Sequence, residues 1–265
     1  MVSKAQVKLN EKEAEEVVRL RSAVVYTAIK REGEGELERP LISLWWSGLA
    51  AGLAIFLSVI SMGVLHHHLG DSPIIHFGYC IGFLVVILGR LQLFTENTIT
   101  AVVPLLARPK KKVLYQTLRL WGIVFVANMI GILIASFAVL HFGMVNSDIL
   151  ASIVSISEHY IGRDAAEFLL QGIPAGFIVA AIVWMLPSSH GFEFWVIIVM
   201  TYLISLGGFT HVIAGAGEVF IMVMLDKISA MDAVFCMILP TLAGNIIGGT
   251  LLFALLAYGQ VKEEI

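Results

Sequence analysis

Beyond residue 40 the chain is dominated by long apolar windows with almost no charge. A bilayer-crossing helix needs about 20 mostly apolar residues. Six windows approach or exceed that length: 44–65, 72–89, 120–147, 168–192, 194–217 and 233–261. The polar connections between them are His66–Ser72, Arg108–Lys112, Asn146–Asp164, Pro187–Gly191 and Asp226–Asp232. The pattern predicts six membrane helices.

Two windows are interrupted. The second runs from Ile75 to Gly89, meets Arg90, Gln92, Thr95, Glu96, Asn97 and Thr98, and resumes over Ile99–Ala107. The fifth runs from Phe194 to Leu206, meets Gly207, Gly208, Thr210 and His211, and continues past Glu218 to Leu225. Irregular backbone at membrane depth survives only where protein buries it or water lines it. Matching interruptions in two halves mark a transporter's central site. Phe94-Thr95-Glu96 aligns with Phe209-Thr210-His211, and Asn128 of the third window with Asn245 of the sixth. A repeat of three crossings inverts its second copy. The predicted fold is all-α and integral to the membrane: two inverted three-helix repeats, with helices two and five broken near the midplane.

The first 40 residues follow another pattern. Val17, Leu20, Val24 and Ala28 recur at spacings of three to four with charges between them, which predicts an amphipathic helix over 11–31. It would lie on the cytoplasmic surface or contact a subunit or partner, with Gly33–Glu38 as a linker. The expected organisation is a cytoplasmic tail over 1–40, a transmembrane pore domain over 41–258 and a cytoplasmic end over 259–265. Met1 to Pro40 contains no apolar core of the secretory-signal kind.

Composition agrees. Hydrophobic residues make up 58% and charged residues 14%, against ~25% charged in soluble domains. That excludes a nucleic-acid binder, a disordered regulator and a conventional soluble enzyme. Of the 37 Lys, Arg, Asp and Glu side chains, 16 lie in the first 40 positions. With the N-terminus inside, 13 Lys/Arg face the cytoplasm against Arg163 and Lys227 outside, which orients both termini inward. Cys80 and Cys236 sit in apolar runs and read as buried free thiols.

Few ionisable groups remain at membrane depth, and such groups are candidates for function. His211 can donate a hydrogen bond or a proton to an anion in a desolvated constriction. Thr95 and Thr210 could cap half-helices starting at Glu96 and His211, and the positive ends of those half-helices would favour an anion. Glu96 could complement its half-helix dipole and pair with Arg90, or act in gating or selectivity. Glu218, two turns beyond His211, could pair with Arg90 or line the outer half of the pore. Asn128 and Asn245 read as supports that hydrogen-bond the freed backbone. His66–His68 are adjacent and cannot all face one ion, so no metal site is expected. Trp45, Trp46 and Trp121 fit interfacial anchors.

Leu93-Phe94-Thr95-Glu96-Asn97-Thr98, Gly208-Phe209-Thr210-His211-Val212-Ile213 and Thr241-Leu-Ala-Gly-Asn245-Ile-Ile-Gly-Gly249 together resemble the loop and last-helix signatures of formate/nitrite transporters. The likeness covers residues 40–258. It implies an aquaporin-like fold assembled as a homopentamer with one pore per subunit. It also implies passage of small monovalent anions such as formate, nitrite or hydrosulfide, proton-linked through a central pore histidine. By matching position His211 would be that histidine, Thr95 its loop partner, and Leu93 and Phe94 the cytoplasmic-side constriction. Asn97, Arg90, Thr210 and Phe209 complete the loop candidates, and Arg163 is the candidate basic residue at the outer mouth. The chain departs from the pattern at Gln92, where the family has Glu, and at Glu96, where it has Gly.

The expected function is a bacterial inner-membrane channel or transporter for small monovalent anions or their weak acids, needing no cofactor and binding no nucleic acid. Two alternatives stay open: a neutral-solute channel, favoured if Glu96 excludes anions, and a non-transporting structural or regulatory membrane protein. A membrane enzyme is disfavoured, because no metal-spaced cluster or nucleophile elbow is present.

Overall fold

The computed structural model describes residues 20–265, and within them the chain is all helix and loop. The first helix, α1, spans Ser22–Glu38 and buries Val25, Tyr26, Ile29, Gly33 and Leu37. Apart from Tyr26 these recur every fourth residue, which is one helical face. That face packs on the chain's own helices: a Cβ at Gly33 would collide with the Thr100 carbonyl and Pro104. The expected linker Gly33–Glu38 is therefore helix, because Gly33 is a crossing point. Arg119 closes the end of α1 by donating to the carbonyls of Leu37 and Arg39, both at 3.0 Å. Tyr26 lies under Tyr258; burial first, and that neighbour second, push its phenol up to about 12. Residues 11–19 of the expected amphipathic helix lie outside the described residues.

Four helices are long and apolar enough to cross a membrane: α2 (Leu41–Leu69), α5 (Lys111–His141), α7 (Ala165–Ser188) and α10 (Ala230–Val261). Four shorter apolar helices accompany them: α3 (Pro73–Leu88), α4 (Asn97–Ala107), α8 (Glu193–Leu206) and α9 (Val212–Met224). The chain between α5 and α7, expected as a polar connection, instead forms α6 (Ser147–Ile161), started by Asn146, whose side chain accepts from the Ile149 N–H at 2.8 Å. Its apolar face packs on the second half of α2 and on α9. Helix α5 begins earlier than the apolar window, since Lys111, Lys112 and Arg119 lie within its first turns without ending it.

Two helix pairs pack most closely, α2 with α5 and α7 with α10. Each needs a glycine at the crossing. A Cβ at Gly52 would strike the Asn128 carbonyl, and one at Gly176 the Asn245 carbonyl. Removing the side chain lets backbones approach at van der Waals distance, which is how apolar helices gain association energy without water to exclude. Within α10, Ala233–Ile238 and Ile247–Ala254 are π-helical. The second stretch brings the Thr250 hydroxyl 2.6 Å from the Thr98 carbonyl, tying α10 to α4. Cys80 is buried, whereas Cys236 is exposed on the outer surface of α10, contrary to the expected burial.

Candidate functional site: a buried histidine between two vestibules

Residues 89–96, between α3 and α4, and 207–211, between α8 and α9, are not helical. Their freed backbone groups need partners in an apolar interior. Two asparagines supply them in the same way. Asn128 Nδ2 donates to the carbonyls of Gly48 (2.7 Å) and Gln92 (2.9 Å), and its Oδ1 accepts from the Phe94 N–H at 2.9 Å. Asn245 Nδ2 donates to the carbonyls of Gly172 and Thr210, and its Oδ1 accepts from the Val212 N–H, all at 2.9 Å. Both asparagines are fully buried. Together they make six hydrogen bonds to backbone groups in and beside the two breaks.

The bonds also correct the register between the halves. Gln92 and Phe94 occupy the places of Thr210 and Val212, so Leu93, not Glu96, stands where His211 stands. The alignment of Phe94-Thr95-Glu96 with Phe209-Thr210-His211 is three residues out, because a shared Phe-Thr pair is weaker evidence than matched backbone bonding.

His211 is 1% exposed and caps α9 itself, its Nδ1 accepting from the Ala214 N–H at 3.1 Å. A backbone N–H can only donate. Nδ1 is therefore the acceptor, which assigns the ring as neutral with its proton on Nε2. That nitrogen lies 2.7 Å from the Thr95 hydroxyl oxygen, to which it donates. Phe83, fully buried on α3, stands edge-on to the imidazole at 5.0 Å. Neither threonine caps a half-helix as expected: Thr95 Oγ1 is turned to His211, and Thr210 Oγ1 donates to the Phe168 carbonyl at 2.8 Å.

Two vestibules open on opposite sides of this pair. The one on the side of the described chain ends holds about 330 Å³ and is lined by Leu93, Gln92, Glu96 and Asn97, with Glu32 and Glu36 of α1 and Arg90 at its edge. Asn97 Nδ2 donates to Gln92 Oε1 and the Leu93 carbonyl, and the Asn97 carbonyl accepts from Trp121 Nε1 at 2.9 Å. Trp121 thus holds the start of α4, while Trp46 is exposed. The expected Arg90–Glu96 pair does not form. Arg90 instead pairs with Glu32 of α1, and Glu96 Oε1 is buried with no partner among the described residues. The Phe94 ring is packed edge-on against Trp121 and Phe125, so of the two expected constriction residues Leu93 alone faces the vestibule.

The far vestibule holds about 580 Å³, with Tyr79, Tyr160, Arg163, Phe209 and Glu218 on its walls. Glu218 therefore lies across the site from Arg90, and the expected alternative of that pair falls away. Arg163 stands over the Tyr160 ring at 5.0 Å and donates to the Tyr160 carbonyl at 2.6 Å. His66 is held by Asp71 at 3.1 Å. Among the described residues no metal-capable group of three or more ligands occurs. Phe83, Tyr79 and Tyr160 were not singled out from sequence. They lie in apolar runs or in the stretch read as a connection, where an aromatic facing a cavity has no distinguishing pattern.

Helices of bilayer length around a buried polar pair, with a vestibule on either side, define a channel or transporter of the membrane class. Comparison with known proteins gives the family. The formate/nitrite transporter family model matches residues 23–259. The inner membrane protein YfdC of Escherichia coli (strain K12) is 36% identical over 249 residues, covering 92% of this chain and 80% of that protein. The formate-nitrite transporter of Plasmodium knowlesi (strain H) is 26% identical over 246 residues, covering 84% and 77%. Among solved structures, a pentameric formate channel with formate bound superposes with TM-score 0.71 at 19% identity, covering 84% of this chain and 98% of that one. An FNT family ion channel superposes at 0.75 and 19%, covering 90% and 98%. The chain belongs to the formate/nitrite transporter family, and it is a transport protein and not an enzyme.

Proposed function

We propose that this protein conducts small monovalent anions or their weak acids, of the formate, nitrite and hydrosulfide type, through a pore centred on His211 and Thr95. The observation that carries the reading is the buried 2.7 Å contact between His211 Nε2 and Thr95 Oγ1, with a vestibule on each side. An anion entering an apolar neck loses hydration worth several kcal/mol unless donors replace water. A neutral histidine with its proton on Nε2 and a rotatable threonine hydroxyl are such donors. Leu93 and Phe83 close the neck on either side of them, and the passage is proton-linked.

The same reading includes the architecture. Helices α3 with α4 and α8 with α9 act as two broken crossings, making six with the four long helices. The two asparagine knots support two inverted three-helix repeats of aquaporin type. The Lys/Arg bias supports cytoplasmic termini, and the relatives support a homopentamer in a bacterial inner membrane. Residues 1–40 serve as the cytoplasmic tail, docked over the inner vestibule through α1. Asn97, Thr210 and Phe209 shape the loops, and Arg163 draws anions to the outer mouth.

Glu96 supports a second reading. A carboxyl with no partner among the described residues, sharing the inner vestibule with Glu32 and Glu36, makes that vestibule unwelcoming to anions and suits a neutral-solute channel. Flux assays in liposomes separate the two. Purified protein is followed with formate, nitrite, hydrosulfide, chloride, water and glycerol, beside His211→Asn and Glu96→Gly. Anion flux that falls in His211→Asn supports the anion pore. Glycerol and water flux without anion flux overturns it, and anion flux appearing only in Glu96→Gly shows a switched substrate. No flux of any solute indicates a structural or regulatory protein.

A further inference from the structure

The outer vestibule contains a carboxyl that the reading above leaves without a task. Glu218 is 7% exposed and lines the cavity. Among the described residues it makes no ion pair and accepts no hydrogen bond. Its helix is shaped to bring other groups against it. Gly215 lies three residues earlier on the same face of α9, and a Cβ there would collide with the Tyr160 hydroxyl. Glycine therefore seats that hydroxyl one turn from Glu218. Tyr79, from α3, lines the same cavity and is 9% exposed. Neither phenol donates to any described residue. A carboxyl and two phenols thus line one cavity of about 580 Å³, with no hydrogen-bond partner among the described residues and their polar atoms open to whatever fills it.

The groups facing Glu218 narrow its use. Arg163 is the one Lys or Arg side chain lining this vestibule, and no Arg163 nitrogen lies within 4.0 Å of the Glu218 carboxyl. His76 Nδ1 is engaged with the Ser205 hydroxyl at 2.8 Å and His66 with Asp71, while His159 lies on α6 among the lining residues. His211, two turns earlier on α9, has Nδ1 committed to the Ala214 N–H. Protonating that nitrogen would set two donors against each other and cost the helix its cap. The imidazole is therefore built to donate a hydrogen bond, and a proton carried with the anion needs another source.

We propose that Glu218 is the proton-exchanging carboxyl of the outer vestibule and that its substrates are small oxyanions of the carboxylate or nitrite class. This rests on the anion-transport reading. An oxyanion drawn in by Arg163 meets the Glu218 acid form, and the two share a charge-assisted O–H···O⁻ hydrogen bond, a short and strong kind. The O–H bond of Glu218 breaks as an O–H bond forms on the anion. Glu218 becomes a carboxylate and the substrate a neutral acid; a hydronium ion of the outer solution then returns the proton to Glu218 and is left as water. One proton moves with each anion, and the neutral acid passes Phe83, His211 and Thr95. The Tyr79 and Tyr160 hydroxyls orient the oxyanion by donating to its second oxygen.

The test is formate and nitrite uptake by the full chain in liposomes carrying a luminal pH dye, across about pH 5 to 8. Wild type is expected to acidify the lumen in step with uptake. Glu218→Gln is expected to lose about tenfold or more of uptake and its pH profile, with Glu218→Asp recovering part. Wild-type uptake and pH profile in Glu218→Gln overturn the proposal while leaving the anion pore intact, whereas no uptake in wild type overturns the anion pore itself. If Glu218→Gln fails to assemble, infrared difference spectra of wild type with formate against chloride decide. Loss of a protonated-carboxyl band that shifts in Glu218→Asp supports the proposal, and its absence overturns it.

Discussion

The two asparagine knots share a scaffold and differ in what they display. Around Asn128 the held segment is Gln92-Leu93-Phe94, and around Asn245 it is Thr210-His211-Val212, each bonded through its first carbonyl and its last N–H. One scaffold presents a leucine at its centre, the other an imidazole. In the proposed pore the imidazole comes from one half, while the other supplies an apolar wall and, two residues on, the Thr95 hydroxyl.

The comparison breaks most visibly if the knots are not equivalent. Asn245→Ala leaves two carbonyls and an N–H unpaired, and at about 1–3 kcal/mol for each orphaned group the loss is about 3–9 kcal/mol. Asn128→Ala is expected to match it, both read as thermal unfolding in detergent. A loss in one variant less than half that in the other would end the equivalence. Next in size is His211→Asn. Asparagine is a good helix cap, so stability is expected to hold within about 1 kcal/mol while anion flux falls about tenfold, equal to about 1.4 kcal/mol. Flux unchanged beside wild type would return His211 to a purely capping role. Thr95→Val removes the hydroxyl and keeps the shape; its flux is expected to fall about threefold, with Thr95→Ser near wild type.

Smaller effects are expected at α1. The Arg90 side chain is 76% exposed in its pair with Glu32, so Arg90→Ala should change stability by less than about 1 kcal/mol. The Tyr26 phenol gives a weaker signature. Its folded value of about 12 lies above the ordinary 10.0, so its contribution is complete below about pH 10 and is lost as pH rises toward about 12. Limited proteolysis of α1 across that window should show docking loosen only at its alkaline end.

Much of the candidate site is legible along the chain. Interrupted apolar windows pointed to 89–98 and 207–211, and His211, Thr95, Asn128 and Asn245 all lie where those interruptions meet. The failures share a cause. Arg90 was matched with Glu96 because they are near in sequence, yet α1 brings Glu32 closer. Asn146–Asp164 reads as a connection because its polar residues hide an apolar stripe, and the helix it forms carries Tyr160 to the vestibule. The motif points Phe94 to the neck, and its ring also packs edge-on against Trp121 and Phe125.

Sequence by itself determined the solvent and the scaffold. Long charge-free windows can be buried only in hydrocarbon or in one another, and a polar break within them must be satisfied from inside the protein. Tertiary structure decided partners: which carboxyl meets which cation, which nitrogen of His211 carries the proton, and which half displays the imidazole. Those choices depend on groups far apart in the chain arriving within about 3 Å, and no local pattern encodes that distance.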